Sequence, residues 1–95
     1  MQMRTTTTYD DWINGLRDGR IRARILVRVD RLLHGNPGEH RNLTDGVTEL
    51  KMNFGAGYRV YYTERGSEII ILLAGGDKSS QSADIAKAIA LAKDI

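Results

Sequence analysis

Residues 46–78, GVTELKMNFGAGYRVYYTERGSEIIILLAGGDK, limit the fold more than any other stretch. They hold three strand-like runs: Val47–Phe54, Tyr58–Thr63 and Glu68–Ala74. Only Gly55-Ala56-Gly57 and a turn at Arg65-Gly66 separate them. Connections this short join antiparallel neighbours, so the stretch predicts two hairpins in series, a meander. The last run is apolar from Ile69 to Ala74 without alternation, which suits a central strand covered on both faces.

A register follows. Closing the first hairpin with Phe54 opposite Tyr58 places Met52 against Val60 and Leu50 against Tyr62. Closing the second with Glu64 opposite Ser67 adds Ile69, Ile71 and Leu73 to the same face. Side chains alternate along a strand, so Glu49, Lys51, Asn53, Arg59, Tyr61, Thr63, Ile70 and Leu72 share the other. The expectation is an apolar face and an opposite face on which Lys51, Arg59 and Tyr61 are neighbours.

The rest of the chain supplies helices. Arg4–Thr8 is rich in β-branched threonine and reads as a short edge strand. Asp10 and Asp11 open a helical stretch to about Asp18, with Trp12, Ile13 and Leu16 as its apolar stripe. A second helix spans about Arg20–Leu33, with Ile21, Ile25, Val29, Leu32 and Leu33 on one face. Arg20, Arg24, Arg28 and Arg31 line the edge of that face. Gly35 and Pro37 stop it, leaving His34 at its C-terminus. Residues 35–46 read as a polar loop. A last helix runs from about Gln81 to Lys93, with Ser80 as N-cap and Ile85, Ala88, Ile89 and Ala92 among its apolar positions. The order is β-α-α-β-β-β-α, an α+β fold in which the first helix pair covers the apolar sheet face. Ile70 and Leu72 on the other face need cover from the last helix or a partner chain.

At 95 residues the chain is expected to be one small domain. Its charged content of 27% and hydrophobic content of 41% fit a folded protein. No apolar run is long enough to span a membrane, and the N-terminus lacks a signal-peptide core. The absence of cysteine removes disulfides and thiolate chemistry. A cytoplasmic location is the expectation. The net charge of +2 is small, but five arginines crowd residues 20–31 with Asp30 the only acid among them. Such a cluster faces phosphate or an acidic partner, or is simply a solvated helix face.

The sequence resembles the RelE/ParE superfamily of toxins from toxin–antitoxin modules, and within it the HigB-like "addiction module killer protein" branch with its phage Gp49-like members. The resemblance runs from Trp12-Ile13 and Leu16 through the Arg-rich helix and Gly35-Asn36. It continues through Gly46–Lys51, Gly57–Tyr62 and Gly75–Ser79 to Asp84-Ile85. ELK, GYRVYY and GGDKS at these spacings carry it jointly.

The resemblance implies a metal-independent mRNA endonuclease without cofactor, acting in the ribosomal A site, where a ribose 2′-hydroxyl attacks the adjacent phosphate. It implies partners: a cognate antitoxin of the helix-turn-helix kind, the ribosome with its mRNA, and operator DNA for the toxin–antitoxin complex. It assigns Lys51 as a base or electrostatic clamp, Arg59 as the phosphate-binding fork and Lys78 as stabiliser of the leaving oxygen. Tyr61 would stack on a base or supply a hydroxyl. Arg20, Arg24, Arg28 and Arg31 would contact RNA backbone. Two departures stand out: the tyrosine of some members' last helix has no match in Ser82–Ile85, and Glu49 stands where others carry a base. Two other readings stay open, a non-enzymatic ParE-like blocker of DNA gyrase and an antitoxin-binding co-repressor subunit. Lys51, Arg59 and Tyr61 would then be a solvated sheet face paired with Glu49 and Glu68.

His34 and His40 lie in or beside a Gly/Pro loop without the spacing of a two-histidine ribonuclease. Asp77 and Asp84 are too sparse for a metal pair.

Overall fold

The computed structural model describes all 95 residues, Met1–Ile95. The elements are β1 (Gln2–Thr5), α1 (Thr7–Gly15), α2 (Gly19–Leu33), β2 (His40–Asn42), β3 (Val47–Met52), β4 (Tyr58–Arg65), β5 (Ile69–Gly76), a 3₁₀ turn (Lys78–Ser80) and α3 (Gln81–Lys93). The fold is α+β, as the sequence predicts, with one short strand more. The five strands lie in the order β1-β5-β4-β3-β2, with β1 parallel to β5 and every other pair antiparallel. No helix is long and apolar enough to cross a membrane.

The threonine run divides between two elements. Thr6 leaves the strand and caps α1: its hydroxyl accepts from Tyr9 N at 3.1 Å and donates to Leu73 O at 2.5 Å. The helix therefore starts at Thr7, three residues before the aspartates. Likewise Asp18 caps α2 by accepting from Arg20 N at 2.9 Å, so Gly19 opens that helix instead of ending the previous one. Arg22 Nη1 donates to Leu16 O at 2.6 Å and closes the link between α1 and α2. At the far end Gly35, at φ +87°, gives a Schellman stop, with Asn36 N bonded to Arg31 O and Gly35 N to Leu32 O.

Residues 40–42, expected as loop, pair with β3 through His40–Leu50, Arg41–Glu49 and Asn42–Thr48. The connection turns at Asp45-Gly46, both at positive φ (58° and 75°), with Val47 N bonded to Thr44 O. This is the geometry a two-residue hairpin turn of the Asp-Gly kind requires.

Two registers differ from expectation. In the first hairpin Met52, not Phe54, faces Tyr58. The loop is two residues longer on the β3 side, an even change, so the faces of β3 and β4 are those predicted. In the second hairpin Arg65 faces Ile69 across a three-residue loop, Gly66-Ser67-Glu68. That change is odd, and it turns β5 over. Ile70 and Leu72 lie with Leu50, Val60 and Tyr62 under α1 and α2; Ile71 and Leu73 lie with Val47 and Tyr61 under α3. A bulge opposite Tyr61 and Tyr62 then shifts the ladder by one, so Leu73 and the adjacent Ala74 both join the α3 side.

The molecule thus has three layers, α1 and α2, then the sheet, then α3, which supplies the cover that the second sheet face needs. The larger core comprises Ile25, Val29 and Leu32 of α2 packed on Leu50, Met52 and Val60 among others. The smaller is built on Ala88 and Ala92 of α3. Gly75 is required for close packing on the first side, since a Cβ there would fall 2.1 Å from the Trp12 ring.

Candidate functional site

The three cations assigned to phosphate chemistry meet at one end of the sheet. Lys51 on β3 and Arg59 on β4 are direct cross-strand partners, and Arg59 also faces Gly76 at the end of β5. Lys78 opens the 3₁₀ turn two residues beyond, where its backbone N–H donates to Ala56 O at 3.3 Å. Gly57 lies between them: a Cβ on it would stand 3.3 Å from Lys78 Cβ and 3.4 Å from Arg59 Nη1. Lys51 is half-buried and Lys78 exposed, and neither is in an ion pair.

Arg59 is not a free fork. It is only 6% exposed, and its Nη1 donates to Gly57 O at 2.8 Å and Tyr58 O at 3.3 Å, holding the β3–β4 turn. Its Nε faces Glu49 Oε2 at 4.0 Å. Tyr61 corrects the sequence reading more strongly. It is 0% exposed, faces Glu49 rather than Lys51, and forms part of the core under α3. No base can stack on it there. Its hydroxyl makes no well-aligned hydrogen bond, although the Glu49 carboxylate lies close to it. Burial pushes the phenol's pKa up, and the carboxylate of Glu49 pushes the same way.

The sheet face that carries Glu49, Arg59 and Tyr61 is therefore roofed by α3, one of the two covers the sequence leaves open, and a buried polar layer runs beneath its first turn. Glu49 is wholly buried; its Oε2 accepts from Gln81 Nε2 at 2.9 Å. Arg41 brings its guanidinium within 3.2 Å of Oε1 without the alignment of a hydrogen bond. Asp84 accepts from Ser80 Oγ at 2.5 Å. A Cβ on Gly76 would fall 1.8 Å from Asp84 Oδ2, so only glycine admits that carboxylate. Arg41, Gln81 and Asp84 were missed as site neighbours. Arg41 was hidden by the unrecognised β2, although Asp45-Gly46 signals that hairpin.

The arginines of α2 lie on the opposite side of the sheet. Arg20, Arg24 and Arg31 are exposed. Arg28 is spent on backbone: Nη1 donates to Lys51 O at 2.9 Å, and Nη2 to Pro37 O and Glu39 O at 3.0 and 3.1 Å. Arg24 lies over the Phe54 ring, 3.9 Å from its centroid. Arg24, Val27, Arg28, Arg31 and Phe54 line a cavity of about 320 Å³. The Arg28–Lys51 bond is the physical link between this surface and the cationic sheet end.

His34 caps α2, its Nδ1 2.8 Å from Asp30 O, and His40 Nδ1 lies 2.7 Å from Gly38 O. Neither is hydrogen-bonded to the Lys51, Arg59 or Lys78 side chains. No three of the chain's histidines, aspartates and glutamates gather as a metal-ligand set.

Comparison with known proteins agrees over nearly the whole chain. The family described as "Phage derived protein Gp49-like (DUF891)" matches residues 11–95. An uncharacterized protein of Haemophilus influenzae is 42% identical over 95 residues, spanning 100% of this chain and 96% of the relative. No solved structure matches.

Proposed function

The chain belongs to the Gp49-like phage-derived family, which is linked to RelE-like addiction-module toxins, and we propose that it is a ribosome-dependent mRNA endonuclease neutralised by a cognate antitoxin. The observation that supports this reading is the pairing of Lys51 with Arg59, with Lys78 against the same turn. A phosphate at this sheet end would meet two lysines with no competing carboxylate pair and the edge of a guanidinium. In the reaction the 2′-hydroxyl loses its proton and attacks the adjacent phosphorus; the bond to the 5′-oxygen breaks, and that oxygen takes a proton. The products are a cyclic phosphate and a 5′-hydroxyl. Preorganised cations stabilise the charge that develops on the phosphorane. Lys51 serves the attacking side and Lys78 the leaving oxygen.

Arg59 acts through position as much as charge, since it also holds the turn that carries Gly57. Growth arrest on expression, tested for wild type beside Lys51→Ala and Lys78→Ala, examines the reading without disturbing that turn. Arrest by wild type and loss in both variants supports it; arrest by all three opposes it.

A second reading is favoured by the enclosure of Arg59 and Tyr61. If the sheet end does no chemistry, the exposed arginine surface of α2 becomes the working surface, as in a ParE-like blocker of gyrase. Trapped DNA cleavage with translation initially unaffected would identify that case.

A further inference from the structure

Arg20, Arg24, Val27 and Arg31 follow one another at spacings of four, three and four, so they form a single stripe along α2. Leu26 flanks it. Leu26 is 47% exposed and Val27 50% exposed, two of the few large apolar side chains left open to water. Val27 and Phe54 make the apolar part of the cavity whose rim is Arg24, Arg28 and Arg31.

This surface has the anatomy of a protein-binding site: an apolar centre with an arginine rim. Polynucleotide backbone gains nothing from Leu26 or Val27. Nor is the central arginine available to phosphate, since the Nη atoms of Arg28 are committed to three carbonyl oxygens. The guanidinium groups of Arg31 and of Arg24, whose face stacks on Phe54 while its N–H edge stays exposed, suit carboxylates, which they bind through two parallel hydrogen bonds. The stripe from Arg20 to Arg31 is roughly 16 Å long at 1.5 Å per residue, about three turns of a facing helix. We infer that the outer face of α2 docks an acidic amphipathic helix of the antitoxin, its apolar row on Leu26, Val27 and Phe54 and its carboxylates on Arg20, Arg24 and Arg31. The inference rests on the toxin–antitoxin reading.

The test is the complex with the antitoxin expressed from the adjoining reading frame. Leu26→Gln with Val27→Gln changes only exposed helix positions by good helix formers. The double variant, expressed alone, is expected to arrest growth as wild type does. Antitoxin co-expression should rescue wild type but not the variant, and the Kd should rise at least about tenfold by calorimetry. Hydrogen exchange of the wild-type complex should show new protection across residues 20–31. Equal rescue and equal Kd, or protection confined to β1, β2 or α3, overturns the docking surface. Protection of α2 by ribosomal RNA but not by antitoxin assigns the surface to RNA and overturns it too. If wild type neither arrests growth nor binds the antitoxin, the toxin reading itself has failed.

Discussion

The Glu49 carboxylate and the Arg59 guanidinium face each other at 4.0 Å beneath the first turn of α3, both out of solvent. Gln81 bonds the same carboxylate. Removing one partner of a buried pair strands the other charge, which typically costs about 3–5 kcal/mol. Glu49→Ala should therefore destabilise the fold by that order, and Glu49→Gln by less, because the amide keeps an acceptor for Gln81. Chemical denaturation of the two variants checks this; equal stability of wild type and Glu49→Ala would contradict it.

Tyr61→Phe should behave oppositely. The hydroxyl is buried without a well-aligned hydrogen bond, so deleting it removes a desolvated group, gives up only its approach to Glu49 and leaves the ring in place. The expected change in stability is within about 1 kcal/mol, and growth arrest should persist, since no base reaches the ring. A loss of arrest in a stably folded Tyr61→Phe would show that the hydroxyl does chemistry.

Gly76→Ala tests how α3 is seated. The added methyl would fall 1.8 Å from Asp84 Oδ2 and 2.9 Å from Ser80 Oγ. Either α3 lifts or the carboxylate loses its place, and overpacking of this kind costs about 1–3 kcal/mol. Gly15→Ala, where a methyl meets nothing within 4 Å, is the control expected to leave thermal unfolding nearly unchanged.

Alkaline conditions should weaken the fold through its tyrosines. Burial pushes Tyr9 from 10.0 up to about 12, with the Asp10 carboxylate adding to it, and burial also raises Tyr61 and Tyr62. A phenol whose pKa is higher in the folded than in the unfolded chain contributes stability that is complete below the unfolded value. That contribution is lost as pH rises towards the folded value. For Tyr9 the window is pH 10.0 to about 12. Thermal midpoints should fall across it, and phenolate absorbance should rise with unfolding. Independent ionisation of Tyr9, Tyr61 and Tyr62 near 10 in the folded protein would contradict the burial.

Parity decided how much of this was legible in the sequence. The helices and the β3–β4 faces follow from periodicity and turn residues. The first hairpin's error was even, so it cost a partner, Tyr61 in place of Arg59 opposite Lys51, and not a face. In β5 every residue from Ile69 to Ala74 is apolar, so alternation says nothing about which side faces which helix. A three-residue turn and a bulge settled what the pattern left open. The site suffered for the same reason. A sheet face read as polar from Glu49, Lys51 and Arg59 is a floor under α3. The cover comes from a helix whose alanines and short polar residues gave little sign of how closely it packs.

The most direct measurement is mapping of mRNA 5′ ends after brief induction of wild type, Lys51→Ala and Lys78→Ala, each confirmed folded. New ends inside translated messages, carrying 5′-hydroxyls, are expected for wild type, and their loss in both variants. The expected rate loss is on the order of 10²–10³ for each lysine removed. Growth arrest without new ends, or cuts undiminished by either substitution, would contradict an active centre at the Lys51–Arg59–Lys78 end of the sheet.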